Sequence, residues 1–89
     1  MKKMTTKYKL EIAPLVDYFV IAVKDKDTDE LVETFTLNES GVDMLKLFCE
    51  GKDTETVAKE MANIYEAPLQ AVTADVMNFS EKLRKKGII

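Results

Sequence analysis

The chain has 89 residues, enough for one small domain; 46% of them are hydrophobic and 33% are charged. This balance is typical of a folded soluble domain rather than of a disordered or membrane chain. The sequence has 13 basic and 16 acidic residues, no His, a single Cys and a net charge of −3. These counts exclude an imidazole acid or base, a Ser–His or Cys–His pair, a Cys/His zinc site and an internal disulfide.

The same composition bears on location and on the class of function. A lone Cys fits a reducing compartment, so we expect a cytoplasmic protein. Apolar runs such as residues 18–23 are far shorter than the roughly 20 residues that span a bilayer, and polar residues follow Lys2 and Lys3 where a signal peptide needs an apolar segment. So small a core can rarely spare a catalytic cleft, so we expect a binding module and no enzyme.

Charge is distributed unevenly along the chain. Residues 10–81 hold all 16 acidic residues and five Lys, which gives them a charge of −11, whereas both ends are basic. Each basic end either keeps the surface solvated or docks an acidic partner. Nucleic acid is not expected as a partner, because its binders usually carry a basic excess over the whole domain. The basic residues are Lys2, Lys3, Lys7 and Lys9 at one end and Lys82, Arg84, Lys85 and Lys86 at the other.

Three strands are predicted after residues 1–7, which are expected to form a flexible tail. Alternation of apolar and polar residues from Tyr8 predicts a half-buried strand that Pro14 interrupts. Aromatic and β-branched residues predict a second strand over 18–24, and a charged turn at 25–30 separates it from a third over 31–37. Short connections favour antiparallel pairing.

Three helices are predicted after Leu37. Asn38 and Asp53 suit the N-caps of the first two, Gly51 suits the position after the first, and Pro68 suits the start of the third. The apolar stripes of the three helices are, in order, Val42, Leu45 and Cys49; Val57, Met61, Ile64 and Tyr65; and Val72, Val76, Phe79 and Leu83.

The order of the predicted elements gives the fold class. Gly87 ends the third helix, and Ile88 and Ile89 remain as an apolar tail. Three strands followed by three helices predict a single α+β domain with a three-stranded antiparallel sheet, similar to a winged helix-turn-helix with its wing in front. Because this architecture binds both DNA and peptides, the fold alone does not choose the function.

Several short segments of residues 37–89 occur in an order that resembles a known family. They are LNESG from Leu37, LKLF from Leu45, VAKEM from Val57, and in the last helix Val72, Asp75, Val76, Phe79, Leu83 and the closing KGII. They are similar to PqqD-like proteins, the peptide-recognition modules of pyrroloquinoline quinone synthesis and of ribosomal peptide modification. Gly51 stands one residue later than the family's glycine, Asp53 replaces its usual Thr cap, and residues 1–36 match in type only.

The resemblance implies a peptide chaperone. It would bind the leader of a ribosomally made precursor peptide as a strand added beside the third strand, and present it to a modifying enzyme such as a radical SAM protein. An exposed strand offers unpaired N–H and C=O groups that an incoming backbone satisfies. Such a protein contributes effective concentration and orientation and needs no cofactor. No residue independently supports quinone binding.

The resemblance also places the peptide site on the third strand and the third helix. Residues such as Phe35, Phe79 and Leu83 are more often plain core residues than ligand contacts, although a groove floor can be both, and Glu33 lies at the sheet's rim or binds a cationic residue of the peptide. Lys82 and Arg84 are placed to meet acidic leader residues. The predicted site residues are Leu31, Val32, Glu33, Thr34, Phe35 and Thr36 on the strand, and Val76, Phe79, Ser80, Lys82, Leu83 and Arg84 on the helix. No catalytic residue and no metal ligand is predicted.

Two further features favour structural interpretations. Cys49 lies on the apolar side of the first helix, so we expect a buried, unreactive thiol. The acidic turn at 25–30 lacks the glycine and the spaced terminal Glu of an EF-hand loop, so we expect a solvated turn and not a calcium site.

Two alternatives to peptide binding stay open. A winged-helix DNA-binding regulator needs a basic second or third helix, whereas Lys59 in the second helix is offset by Glu55 and Glu60. A structural homodimer would pair its own edge strands, with residues 88–89 either in the contact or packed back on the core. The sequence therefore leaves a monomer or a weak homodimer open.

Overall fold

The computed structural model describes residues 8–89, so the tail predicted for residues 1–7 lies outside the described residues. The predicted α+β class, with three antiparallel strands followed by three helices, is confirmed. The elements are β1 (Tyr8–Pro14), β2 (Phe19–Asp25), β3 (Leu31–Leu37), α1 (Glu39–Cys49), α2 (Thr54–Tyr65) and α3 (Leu69–Lys85).

The strands form one sheet in the order β1-β2-β3. Ile21 of β2 pairs with Ile12 of β1 and with Phe35 of β3, and both pairings are antiparallel. A bulge beside Val23 shifts the register near the start of β3. Because β2 is central, β1 and β3 are the two edges of the sheet over the described residues, as the short connections predicted.

Local side-chain contacts fix the helix ends at the predicted positions. The Asn38 side chain accepts a hydrogen bond from the Gly41 amide at 2.9 Å, and that of Asp53 accepts one from the Thr56 amide at 2.8 Å. Gly51 has φ +87°, a left-handed conformation that glycine adopts without a steric penalty. These caps satisfy backbone groups that a helix end leaves free and set where α1 and α2 begin.

The helices pack on the face of the sheet that carries Ile21 and Val23. Ile88, just beyond α3, is fully buried, so the apolar tail packs back on the core. No described helix is both long enough and apolar enough to cross a membrane. The core consists of Ile21, Val23, Val42, Leu45, Phe48, Val57, Ala58, Met61, Val76, Phe79, Leu83 and Ile88.

Three predicted positions on the apolar helix stripes are wrong. Cys49 is exposed, because it is the last residue of α1 and the preceding Phe48 fills the core. Ile64 and Tyr65 keep 55% and 39% of their surface exposed, because the buried face of α2 ends at Met61. The Tyr65 hydroxyl instead donates a hydrogen bond to the Asp43 carboxylate at 2.5 Å.

Candidate functional site

A groove of about 240 Å³ lies between the edge strand β3 and α3. Its floor is apolar, since Leu83 is fully buried and Phe79 is only 8% exposed. Two lysines, Lys82 and Lys86, stand on the helix side. The lining residues are Phe35, Thr36 and Leu37 from β3, and Phe79, Lys82, Leu83 and Lys86 from α3 and its C-cap.

On the strand side of the groove, the outer edge of β3 carries backbone N–H and C=O groups that can form hydrogen bonds with a ligand. Within the described residues, β3 pairs with β2 on one side and with no strand on the other. In an edge strand, alternate residues direct their N–H and C=O groups away from the sheet. The side chains of Thr34 and Thr36 are exposed, whereas Phe35 is half-buried. An extended backbone laid beside β3 would therefore find hydrogen-bond partners next to an apolar floor.

One ion pair crosses the groove from helix to strand. Lys86, the C-cap of α3, donates a hydrogen bond to the Glu33 carboxylate of β3 at 2.9 Å, and its ammonium nitrogen lies 4.7 Å from the centroid of the Phe35 ring. The two charged side chains keep 29% and 34% of their surface exposed. This contact settles the position of Glu33, which lies at the rim and binds a lysine of its own chain.

The groove ends in positive charge. Lys82 is exposed in the last turn of α3, where cations also interact favourably with the helix dipole, and Lys86 follows as the C-cap. Arg84 lies 3.8 Å from Glu81 on its own helix, a long, exposed contact that contributes little. Anionic groups are therefore attracted to this end of the groove.

The structure brings together five of the predicted site residues, which line the groove: Phe35, Thr36, Phe79, Lys82 and Leu83. Glu33 reaches the groove through Lys86, and Leu31, Val32 and Thr34 are exposed on the same strand. Val76 is fully buried in the core, and Ser80 and Arg84 line a different cleft.

Sequence reasoning missed two lining residues, Leu37 and Lys86. Leu37 lies two residues after Phe35, so alternation along the strand places both on one face and was the signal that could have found it. Lys86 lies 53 residues from Glu33, and no local pattern indicates that these two charges meet.

A larger cleft of about 460 Å³ separates α2 from α3. It is lined by helix side chains, among them the exposed Leu69 and Met77 and the polar Thr73 and Asn78. Helix backbone is already hydrogen-bonded internally, so this cleft offers a ligand side chains only. We therefore place the candidate site at the β3–α3 groove, where an edge strand is available.

Three features of residues 8–89 bear on metal binding and on nucleophilic chemistry. No group of three or more His, Cys, Asp or Glu side chains that could hold a metal occurs there. Partial burial of the sulfur and the neighbouring Glu50 raise the pKa of the Cys49 thiol, which disfavours the nucleophilic thiolate. Asp25 in the acidic turn accepts hydrogen bonds from the amides of Asp27 and Thr28 at 2.8 and 3.1 Å, so its carboxylate holds the turn itself.

The family model for coenzyme PQQ synthesis protein D (PqqD) matches residues 25–89, which include β3, all three helices and thus the whole groove. The chain belongs to the PqqD family. The resemblance that began at Leu37 is therefore confirmed and extends to the turn before β3. None of the curated proteins compared with this PqqD-family chain matches it significantly.

A solved structure has a similar fold. It is described as TbiB1 in complex with the TbiA(beta) leader peptide, and it superposes with a TM-score of 0.69 over 98% of this chain and 93% of that one. The sequences are 22% identical, so this likeness shows that the two chains share a fold.

Proposed function

We propose that this PqqD-family chain binds the leader of a ribosomally made precursor peptide by strand addition to β3. The observation that carries the proposal is the groove itself, which sets an unpaired strand edge beside the apolar floor formed by Phe79 and Leu83. In strand addition, main-chain hydrogen bonds supply affinity and side-chain pockets supply specificity. The TbiB1 structure, which has this fold, contains a leader peptide.

The proposed role is to hold a peptide and not to transform it. By binding the leader, the protein raises the effective concentration of the precursor at a modifying enzyme and orients the segment to be modified. We propose a radical SAM protein as the class of enzyme and the cytoplasm, where ribosomal peptides are made, as the location. The chain needs no cofactor for this task.

The charges of α2 disfavour the DNA-binding alternative. Lys59 pairs with Glu55 on the same helix at 3.5 Å, and Lys52, just before the helix, pairs with Glu60 at 2.7 Å. A recognition helix for the major groove instead presents unpaired basic and polar side chains to the bases. The homodimer alternative is weakened as well. Ile88 was one of the residues that could take part in the contact between two chains, and it is buried within its own chain.

An NMR titration tests the proposal. Labelled protein receives synthetic peptides that represent short open reading frames beside its gene, with scrambled peptides of equal composition as controls. We expect chemical-shift changes confined to β3 and to the groove side of α3 for one cognate peptide. Methylating the peptide backbone nitrogens at alternate residues sharpens the test, since one set of positions abolishes binding and the other is tolerated. A response to duplex DNA but to no peptide would contradict the proposal.

A further inference from the structure

A carboxylate of the protein itself lies at the rim of the groove and is paired with one of the two lysines that line it. Lys86 extends from the end of α3 to β3, where its ammonium group pairs with Glu33 at 2.9 Å and lies over the Phe35 ring. Phe35 and Lys86 both line the groove. The ammonium group therefore covers a ring that forms part of the groove wall.

A bound peptide has to compete with this contact. A peptide side chain that packs on the Phe35 ring displaces the Lys86 ammonium, which separates it from Glu33. Leaving a partly buried charge without a partner costs free energy. Glu33 is 34% exposed at the rim and can turn to water, whereas Lys86 remains in the groove beside Lys82. The lowest cost therefore arises when the peptide itself brings an anion to Lys86.

We propose that Glu33 is an internal substitute for a carboxylate of the ligand, and that the groove selects peptides with an Asp or Glu next to the apolar side chain that packs on Phe35. This inference rests on the proposed peptide-binding function and deepens it. In the free protein Glu33 holds Lys86 in place, and in the complex the acid of the peptide takes its position. Since the pair is partly exposed, we expect the loss of either the peptide's acid or the Glu33 carboxylate to change the affinity for the peptide by about threefold.

Selection from a library of short randomised peptides tests the inference without knowledge of the precursor. Wild-type protein is expected to enrich alternating apolar peptides with an acid at one fixed place beside an apolar anchor. The Lys86→Met variant is expected to enrich the same alternating apolar peptides but with no preference for the acid. Lys85→Met, which removes a neighbouring exposed lysine outside the groove lining, keeps both and is the matched control.

The test is completed by measuring the affinity of wild type and variants for one selected acidic peptide and for its Gln analogue, in which Gln replaces the acidic residue. Glu33→Gln removes the pair that any peptide on the Phe35 ring has to break, so we expect it to bind the acidic peptide and its Gln analogue each about threefold more tightly than wild type does, and to keep the preference for the acid. Circular dichroism and thermal melting establish that each variant is folded. Because Glu33 and Lys86 are partly exposed, both substitutions are expected to leave the core intact.

The outcomes separate this inference from the proposed function. If wild type enriches alternating apolar peptides with no preference for an acid, or if Lys86→Met retains that preference, the inference is overturned and strand addition stands. Weaker binding of the acidic peptide to Glu33→Gln overturns it as well. If no peptide is enriched, or if enriched peptides leave the NMR signals of β3 unchanged, the proposed function fails and the inference fails with it.

Discussion

Replacing Phe79 by Leu separates the contribution of this ring to the core from its contribution to the groove. Phe79 is 8% exposed, its ring centroid lies 6.3 Å from that of Phe48, and it also lines the groove. Leu keeps the side chain apolar but loses the ring pair, so we expect a destabilisation of about 1–2 kcal/mol.

The size of this loss decides which variant is useful. A domain of this length has a total stability of about 4–13 kcal/mol, and the melting temperature falls by roughly 4–8 °C per kcal/mol. Phe79→Leu therefore stays folded. Phe79→Ala, which costs about 3–5 kcal/mol, approaches the whole stability of the domain, and Phe79→Asp adds a buried charge.

Phe48→Leu is the matched control, because it breaks the same ring pair from the side that does not line the groove. Both Leu variants are expected to show similar losses in thermal melts followed by circular dichroism. Fluorescence anisotropy of a labelled cognate peptide should show binding weakened about fivefold by Phe79→Leu, since about 1 kcal/mol of apolar contact is lost, and unchanged by Phe48→Leu. Equal effects of the two variants on binding would refute the assignment of Phe79 to the groove floor.

Two further predictions follow from β3 and from α2. Thr34→Pro removes an amide of the edge strand and should abolish measurable peptide binding, whereas Thr34→Ala should bind as wild type does; a folded Thr34→Pro variant with normal affinity would show that the edge is misplaced. The hydrogen bond to Asp43 raises the pKa of Tyr65 to about 12. Because the folded-state pKa is the higher one, this bond stabilises the fold below about pH 10 and is lost as the pH rises towards 12. Tyrosinate absorbance of wild type and Tyr65→Phe should differ by one phenol that titrates late, and a difference centred near pH 10 would contradict the contact.

The features that could be predicted from sequence were those with local causes. Asn38, Gly51 and Asp53 act within a few residues of their own positions, so the helix ends followed from residue type alone. Helix faces were harder to predict, because adjacent apolar residues such as Phe48 and Cys49 compete for one core position. Phe48 is buried in the shared core, where its ring centroid lies 6.3 Å from that of Phe79 on α3, and no local pattern indicates this tertiary contact.

The groove could be predicted in outline but not in its electrostatics. Strand alternation and helix period place Phe35 and Phe79 on the apolar faces of β3 and α3, and the resemblance to PqqD-like proteins implies that these faces meet in a groove, which both residues line. The contact between Lys86 and Glu33 depends on where the end of α3 lies relative to β3. That distance is set by the whole fold and by no spacing in the sequence.

Amide hydrogen exchange along β3, measured by NMR with and without a cognate peptide, tests strand addition most directly. In the free protein, alternate amides of β3 should exchange rapidly because they face away from β2, while those between them are protected. On binding, the rapidly exchanging set should become protected and β1 should not change. Protection at the edge of β1, or bound peptide with no change in β3, would contradict the account.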